Sequence, residues 1–242
     1  MFWEKEIETI DKKELEKYQI QKLNETLNNC KKAPFYKKVF EKLNIEKINS
    51  FEDIKRLPFT TKQDLRDNFP YGFLTIGLED VVRLHSSSGT TGNPTVVFHT
   101  KKDLEEWTNL IARCMYMVGV RKNDVFQNMM GYGLFTGGIG FHYGAEKLGA
   151  LIIPIGPGNS KRQIWFMKEF KTTVIHILPS YALRLYTFFE EMGIDPKKDL
   201  NLKIAFIGAE PHSEQIRRKI EELYNIKAYN SYGLSEMNGP GV

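Results

Sequence analysis

From residue 124 onward short apolar runs alternate with longer stretches of helical character, and no other feature narrows the possible folds as far. The runs "DVFQNM", "ALIIPI", "TTVIHIL" and "KIAFIG" read as buried strands. Helical stretches at 138–149, 160–170, 180–192 and 213–224 separate or follow them. Strands that alternate with helices pair in parallel, and the helices cover the sheet. Upstream, "VVRL" and "TVVFH" flank a loop at 86–95, and a long helix, "KKDLEEWTNLIARCMYMVGV", starts behind Thr100. The expected class is therefore α/β, a helical N-terminal preface followed by a mainly parallel β-sheet covered by helices.

The preface occupies residues 1–75 and the α/β region residues 76–242. Over 11–30, Leu15, Tyr18, Leu23, Leu27 and Cys30 fall near one face of a helix, with Lys and Glu elsewhere. The mixed Lys/Glu runs are a solvated face with i,i+4 pairs. Pro34 and Pro58 punctuate the next helices, and Thr61 with Asp64 three residues later forms a capping arrangement.

Composition enters mainly to exclude. A chain of 242 residues, 41% hydrophobic and 26% charged, buries a substantial core. Its charge of +4, from 34 basic and 30 acidic residues, is thinly spread and argues against a nucleic-acid partner. No apolar run approaches the roughly 18 residues of a membrane span, and no signal-peptide pattern opens the chain. Cys30 and Cys114 are too few for a zinc site or a disulfide framework and are expected as buried free thiols. A cytoplasmic protein without membrane or nucleic-acid partners is the expectation.

Ligands of such sheets gather at the carboxyl ends of the strands. In "SSSGTTGNPT" at 86–95, Gly89 and Gly92 allow successive N–H groups to face one concavity, and Ser87, Ser88, Thr90 and Thr91 add hydroxyl donors. The loop has no lysine and fails the Walker A spacing. It is either an anion cradle or a solvent-exposed hairpin loop. Further glycine-rich loops are "GYGLFTGG" at 131–138, "GAEP" at 208–211 and "YGLSEMNGPG" at 232–241. Tyr132 and Phe135 offer a flat apolar slot or plain core packing. His85, His99, His176 and His212 lack a partner at recognisable spacing and are expected as satisfied polar residues.

The succession of "SSSGTTGNPT", "IGAEP" and "YGLSEMNGPG" resembles the adenylate-forming superfamily of acyl-CoA ligases. More narrowly, "LPFTTKQDLRDNFP", "GYGLFTGG", "HYGAEKLGA" and "YGLSEMNGPGV" are similar to phenylacetate-CoA ligases. The resemblance implies the front part of an adenylate-forming N-terminal domain, with ATP-dependent, AMP-forming activation of an aryl carboxylic acid and transfer to coenzyme A. It implies that Ser87, Ser88, Gly89, Thr90, Thr91 and Gly92 wrap the phosphates of ATP, although Asn93 stands where many relatives have lysine. It implies that Gly208, Ala209, Glu210 and Pro211 form a wall of the adenine and acyl pocket, that Tyr232 and Gly233 meet the nucleotide, and that Glu236 holds Mg2+. Glu236, Thr90 and Thr91 are the catalytic candidates by the same resemblance. Tyr132, Phe135, Gly137 and Gly138 are its acid-binding candidates, with His142 and Tyr143 close behind.

Relatives of this kind continue beyond the "YGLSE" loop into a ribose-binding aspartate, a hinge and a small mobile domain with a catalytic lysine. None of these is in the 242 residues, so the chain alone is expected not to complete thioester formation. Two other classes fit the same motifs: an adenylyl transferase that attaches AMP to the hydroxyl of a deazaflavin, and a nucleotide-binding subunit of a split enzyme. A homodimer is the oligomeric state that the resemblance suggests.

Overall fold

The computed structural model describes residues 2–43, 45–87 and 93–239. It divides into two compact units, Glu4–Asp103 on the one hand and Met1–Trp3 with Leu104–Val242 on the other.

The Glu4–Asp103 unit contains helices α1 (Lys5–Glu8), α2 (Lys12–Cys30), α3 (Pro34–Leu43) and α4 (Lys62–Asp67), then strands β1 (Arg83–Ser86) and β2 (Val96–His99). Helix α2 starts where Asp11, in extended backbone, accepts the Lys13 N–H with its side chain. Its inner face buries Leu27 against Ile45 and Ile48, with Ile20 and Leu23 beside them. Tyr18, expected on that face, is 43% exposed and has the Lys22 ammonium over its ring. Nine residues separate Tyr18 from Leu27, which at 3.6 residues per turn places them about 180° apart. Ile20, seven residues from Leu27, takes the inner position instead.

Two polar devices fix this unit where its apolar core is thin. Asn24 donates its amide to the Ile48 carbonyl at 2.8 Å and accepts the Ile48 N–H at 2.9 Å, tying the chain after α3 to the middle of α2. Thr61 and Asp64 form the anticipated capping box at α4, with the Asp64 carboxylate accepting the Thr61 N–H at 2.7 Å. Strands β1 and β2 pair antiparallel, His85 opposite Val97. The buried rings of His85 and His99 lie 4.7 Å apart.

Helix α5 (Lys101–Met117) begins at a second box, in which Asp103 accepts the Thr100 N–H at 2.8 Å. The larger unit then runs β3 (Val125–Asn128), α6 (Thr136–Leu148), β4 (Leu151–Ile153), α7 (Ser160–Glu169), β5 (Val174–Ile177), α8 (Pro179–Glu191), α9 (Pro196–Asp199), β6 (Ile204–Gly208), α10 (Glu214–Tyr224) and β7 (Lys227–Ser231). The five strands form one sheet in the order β4-β3-β5-β6-β7, every pair parallel. Side chains alternate across it. Val174 and Phe206 face a cluster with Trp107, Ile111, Met115 and Phe141, while Ile175 and Ile207 face Ile164, Leu185, Phe189 and Tyr224. Helices α5 and α6 approach so closely that a Cβ on Gly144 would lie 2.6 Å from the Ile111 side chain.

Below the sheet, at the amino ends of the strands, buried Asp124 accepts from the Thr173 hydroxyl at 2.7 Å and the Arg121 N–H at 2.7 Å, and pairs with Lys203 at 2.6 Å. Both cysteines are free and half-buried, less enclosed than expected. Among the described residues no helix is long and apolar enough to cross a membrane.

Candidate functional site

All five strands point their carboxyl ends the same way, so the loops that leave them line one rim of the sheet. At β6 and β7 that rim is tight. Gly208 is paired with Ser231, and a Cβ at position 208 would collide with the Ser231 carbonyl oxygen. Ala209 then takes φ +63, the left-handed region that a non-glycine residue seldom adopts. Strain of this kind persists where surrounding contacts impose it. One such contact is Glu210, whose carboxylate accepts the Ser180 N–H at 2.5 Å and the Ser180 hydroxyl at 3.0 Å. Glu210 thereby satisfies a free N–H in the first turn of α8 and meets the positive end of its dipole.

After β7 the chain turns back on itself. The Gly239 N–H donates to the Leu234 carbonyl at 3.1 Å, and the indole N–H of buried Trp107 donates to the Gly239 carbonyl at 3.1 Å. This pin leaves Tyr232 67% exposed and Glu236 exposed in the short 3-10 turn Ser235–Met237. The described residues include no cluster of three or more His, Cys, Asp or Glu able to hold a metal. A single open carboxylate such as Glu236 suits Mg2+, which takes one or two carboxylates and fills its remaining positions with phosphate oxygens and water.

At the end of β3, fully buried Asn128 donates its amide to the Gly138 carbonyl at 2.6 Å and accepts the Met130 N–H at 3.2 Å. These bonds draw the loop onto the start of α6, which opens at Thr136, two residues before its expected start. Gly137 and Gly138 accordingly belong to the helix and not to the loop. A Cβ on Gly138 would collide with the Gly131 carbonyl. The Tyr132 hydroxyl lies 3.3 Å from His142 Nδ1, and the two rings meet edge to face with centroids 5.6 Å apart. Burial pushes the Tyr132 phenol up to about 12, so the hydroxyl keeps its proton. Phe135 is 50% exposed.

Sequence reasoning overlooked a glycine-rich loop after β4. Gly156, Gly158 and Asn159 all have positive φ. Gly156 donates its N–H to the Asn128 carbonyl at 3.1 Å, and the Gln163 amide holds the Gly156 and Gly158 carbonyls at 2.7 and 3.1 Å. The signal was present in "GPGN". Asn128 and Ser180 were overlooked as well, having no local pattern to mark them.

In the other unit, Ser87 closes the base of the 86–95 loop. Its N–H donates to the Thr95 carbonyl at 2.9 Å, and its hydroxyl accepts the Thr95 N–H at 2.9 Å. Ser88, Gly89, Thr90, Thr91 and Gly92 lie outside the described residues. Of the histidines, His176 corrects the expectation of satisfied side chains. It is buried on β5 with its ring 4.2 Å from that of Phe141, and its Nδ1 has no hydrogen-bond partner among the described residues. Burial holds its imidazole down at about 3.

The chain is 43% identical over 239 residues to the phenylacetate-coenzyme A ligase of Pseudomonas putida, covering 98% of this chain and 54% of that protein. It is 40% identical over 245 residues to that of Thermus thermophilus, covering 100% of this chain and 55% of the relative. It spans about half the length of these curated relatives. A crystal structure of a 2-hydroxyisobutyryl-CoA ligase in complex with 2-HIB-AMP and CoA superposes with a TM-score of 0.88 at 29% identity, over 95% of this chain and 51% of that one. The model of the AMP-binding enzyme family matches residues 20–242. With that match over the whole glycine-lined rim, the chain belongs to the AMP-binding enzyme family.

Proposed function

We propose that this chain is the nucleotide- and acid-binding part of an AMP-forming ligase that joins an aryl carboxylic acid to coenzyme A, in the cytoplasm, with residues 76–242 carrying the site behind the preface 1–75. The carboxylate oxygen of the acid bonds to the α-phosphorus of ATP as the bond to pyrophosphate breaks. The thiol sulfur of coenzyme A then bonds to the acyl carbon as the bond to AMP breaks and the thiol gives up its proton. Neither step requires a protein nucleophile. The protein's part is to align anions, supply oriented donors and exclude water from the mixed anhydride.

The observation that carries this reading is the rim at β6 and β7. Gly208 without a side chain, the left-handed Ala209 and the pinned turn after Tyr232 leave backbone and an open aromatic ring where a flat base can lie. Glu210, engaged by Ser180, lends its backbone rather than its carboxylate to that wall. Tyr232 stacks on the adenine, Gly233 admits the nucleotide, and Glu236 holds Mg2+, which neutralises phosphate charge when bound. Ser87 to Gly92 receive the phosphates, and Tyr132, Phe135, Gly137 and Gly138 receive the acid. The relatives named phenylacetate-coenzyme A ligases support an arylacetic acid as substrate.

The test is acid-dependent pyrophosphate release from ATP by the full-length protein, with calorimetric titration of MgATP. Release with arylacetic acids, together with loss of nucleotide binding in a folded Thr90→Ala, Thr91→Ala, Glu236→Ala variant, is expected. Release driven by a deazaflavin and by none of the acids would replace the ligase reading with an adenylyl transferase.

A further inference from the structure

A line of polar side chains runs from Tyr132, in the loop after β3, to His142 and Glu146 on α6, and the chemistry of each atom sets its direction. At its far end the Glu146 carboxylate lies 3.2 Å from His142 Nε2. A carboxylate offers only lone pairs, so Nε2 carries the hydrogen. A neutral imidazole that donates at Nε2 is bare at Nδ1, and Nδ1 is the atom 3.3 Å from the Tyr132 hydroxyl. With His142 in that tautomer, Tyr132 donates. Both bonds then point the same way, from Tyr132 to His142 to Glu146.

The consequence lies at Tyr132, which sits half-buried between exposed Gly131 and Gly133. With its proton committed to His142, the hydroxyl has none to offer a ligand, and what remains is acceptor capacity. Resting on the acid-CoA ligase reading above, we infer that Tyr132 is a specificity-determining residue and His142 and Glu146 are its positioning residues, so that the site favours an aryl acid bearing a hydrogen-bond donor on its ring, such as a phenolic hydroxyl, over the unsubstituted acid. A neutral hydrogen bond of this kind corresponds to about a fivefold to tenfold difference in KM.

Two measurements decide it. The first is the histidine 15N spectrum at pH 8, with the His142 signals assigned by their loss in His142→Ala. A bare Nδ1 whose resonance moves in Tyr132→Phe is expected, whereas a protonated Nδ1, or one indifferent to Tyr132→Phe, overturns the relay. The second is the ratio of KM for phenylacetate to KM for its ortho-, meta- and para-hydroxy derivatives, read by pyrophosphate release in the full-length protein. The best derivative is expected to show a ratio of about five to ten, falling to near one in Tyr132→Phe and dropping severalfold in Glu146→Ala. Glu146→Gln, whose amide oxygen still accepts, should restore it. Release with a ratio near one for every derivative in the unaltered protein overturns the inference and leaves the ligase reading intact. Release with no acid overturns both, and the 15N spectrum still reports whether the relay exists.

Discussion

In the Glu4–Asp103 unit the buried cluster is Leu27, Ile45 and Ile48, fringed by half-buried neighbours, and Phe59 stands 95% exposed. In the larger unit, apolar side chains press on both faces of one parallel sheet, from Trp107, Phe126, Phe141 and Phe206 on one side to Ile175, Leu185, Phe189 and Tyr224 on the other. The contrast reflects two ways of holding a chain. A parallel sheet covered on both faces draws its stability from apolar burial. Helices with thin inner faces depend more on local polar devices, here the Asn24 bonds to Ile48 and the box at Thr61.

The sharpest way to break this comparison is at Phe206, fully buried between Phe126 and Phe141. Phe206→Ala is expected to cost about 3–5 kcal/mol in urea unfolding, and a loss under about 1 kcal/mol would mean that the sheet core can collapse around the gap. Ile48→Ala should cost about 2–4 kcal/mol. Amide exchange should show its effect concentrated in residues 4–103, and protection lost equally across β5 and β6 would erase the distinction between the units.

The third prediction concerns pH. His176 titrates at about 3 in the folded chain against 6.5 as the ordinary value. Between those values the unfolded chain binds the proton and the folded chain does not, so stability is complete above pH 6.5 and declines as pH falls towards 3. At pH 5, His176→Phe should recover about 2 kcal/mol of this acid loss relative to pH 8. His85, held at about 4 chiefly by burial, acts in the same direction and should leave a residual slope in the Glu4–Asp103 unit. An unchanged pH dependence in the variant would show that the buried imidazole finds a charge partner on protonation. The smallest effect is Thr61→Ala, about 1 kcal/mol from loss of the cap, visible as faster exchange in α4.

Much of this architecture was legible before any coordinates. The four short apolar runs became β3, β4, β5 and β6, and the helices between them appeared within a few residues of their expected bounds. The rim loops at 131, 208 and 232 were marked by glycine, where close approach demands it, as at Gly208. Tyr18 was misplaced because a list of apolar residues does not respect the 3.6 period as strictly as the helix does. The start of α6 lies earlier than its pattern predicts because three glycines in four residues, Gly137, Gly138 and Gly140, hide a helix whose first turn is fixed by Asn128.

The sequence by itself determined element type, order and the chemistry of the loops, because hydrophobic period, caps and glycine turns act over a few residues. Tertiary structure alone decided what the loop side chains do. Glu210 caps a helix that begins 31 residues earlier in the chain, at Pro179, and the Asn128 carbonyl at the end of β3 accepts the N–H of Gly156, beyond the end of β4. Those partners exist only once parallel strands bring their ends to one rim, and a hydrogen bond depends on distance and direction in space rather than on separation along the chain.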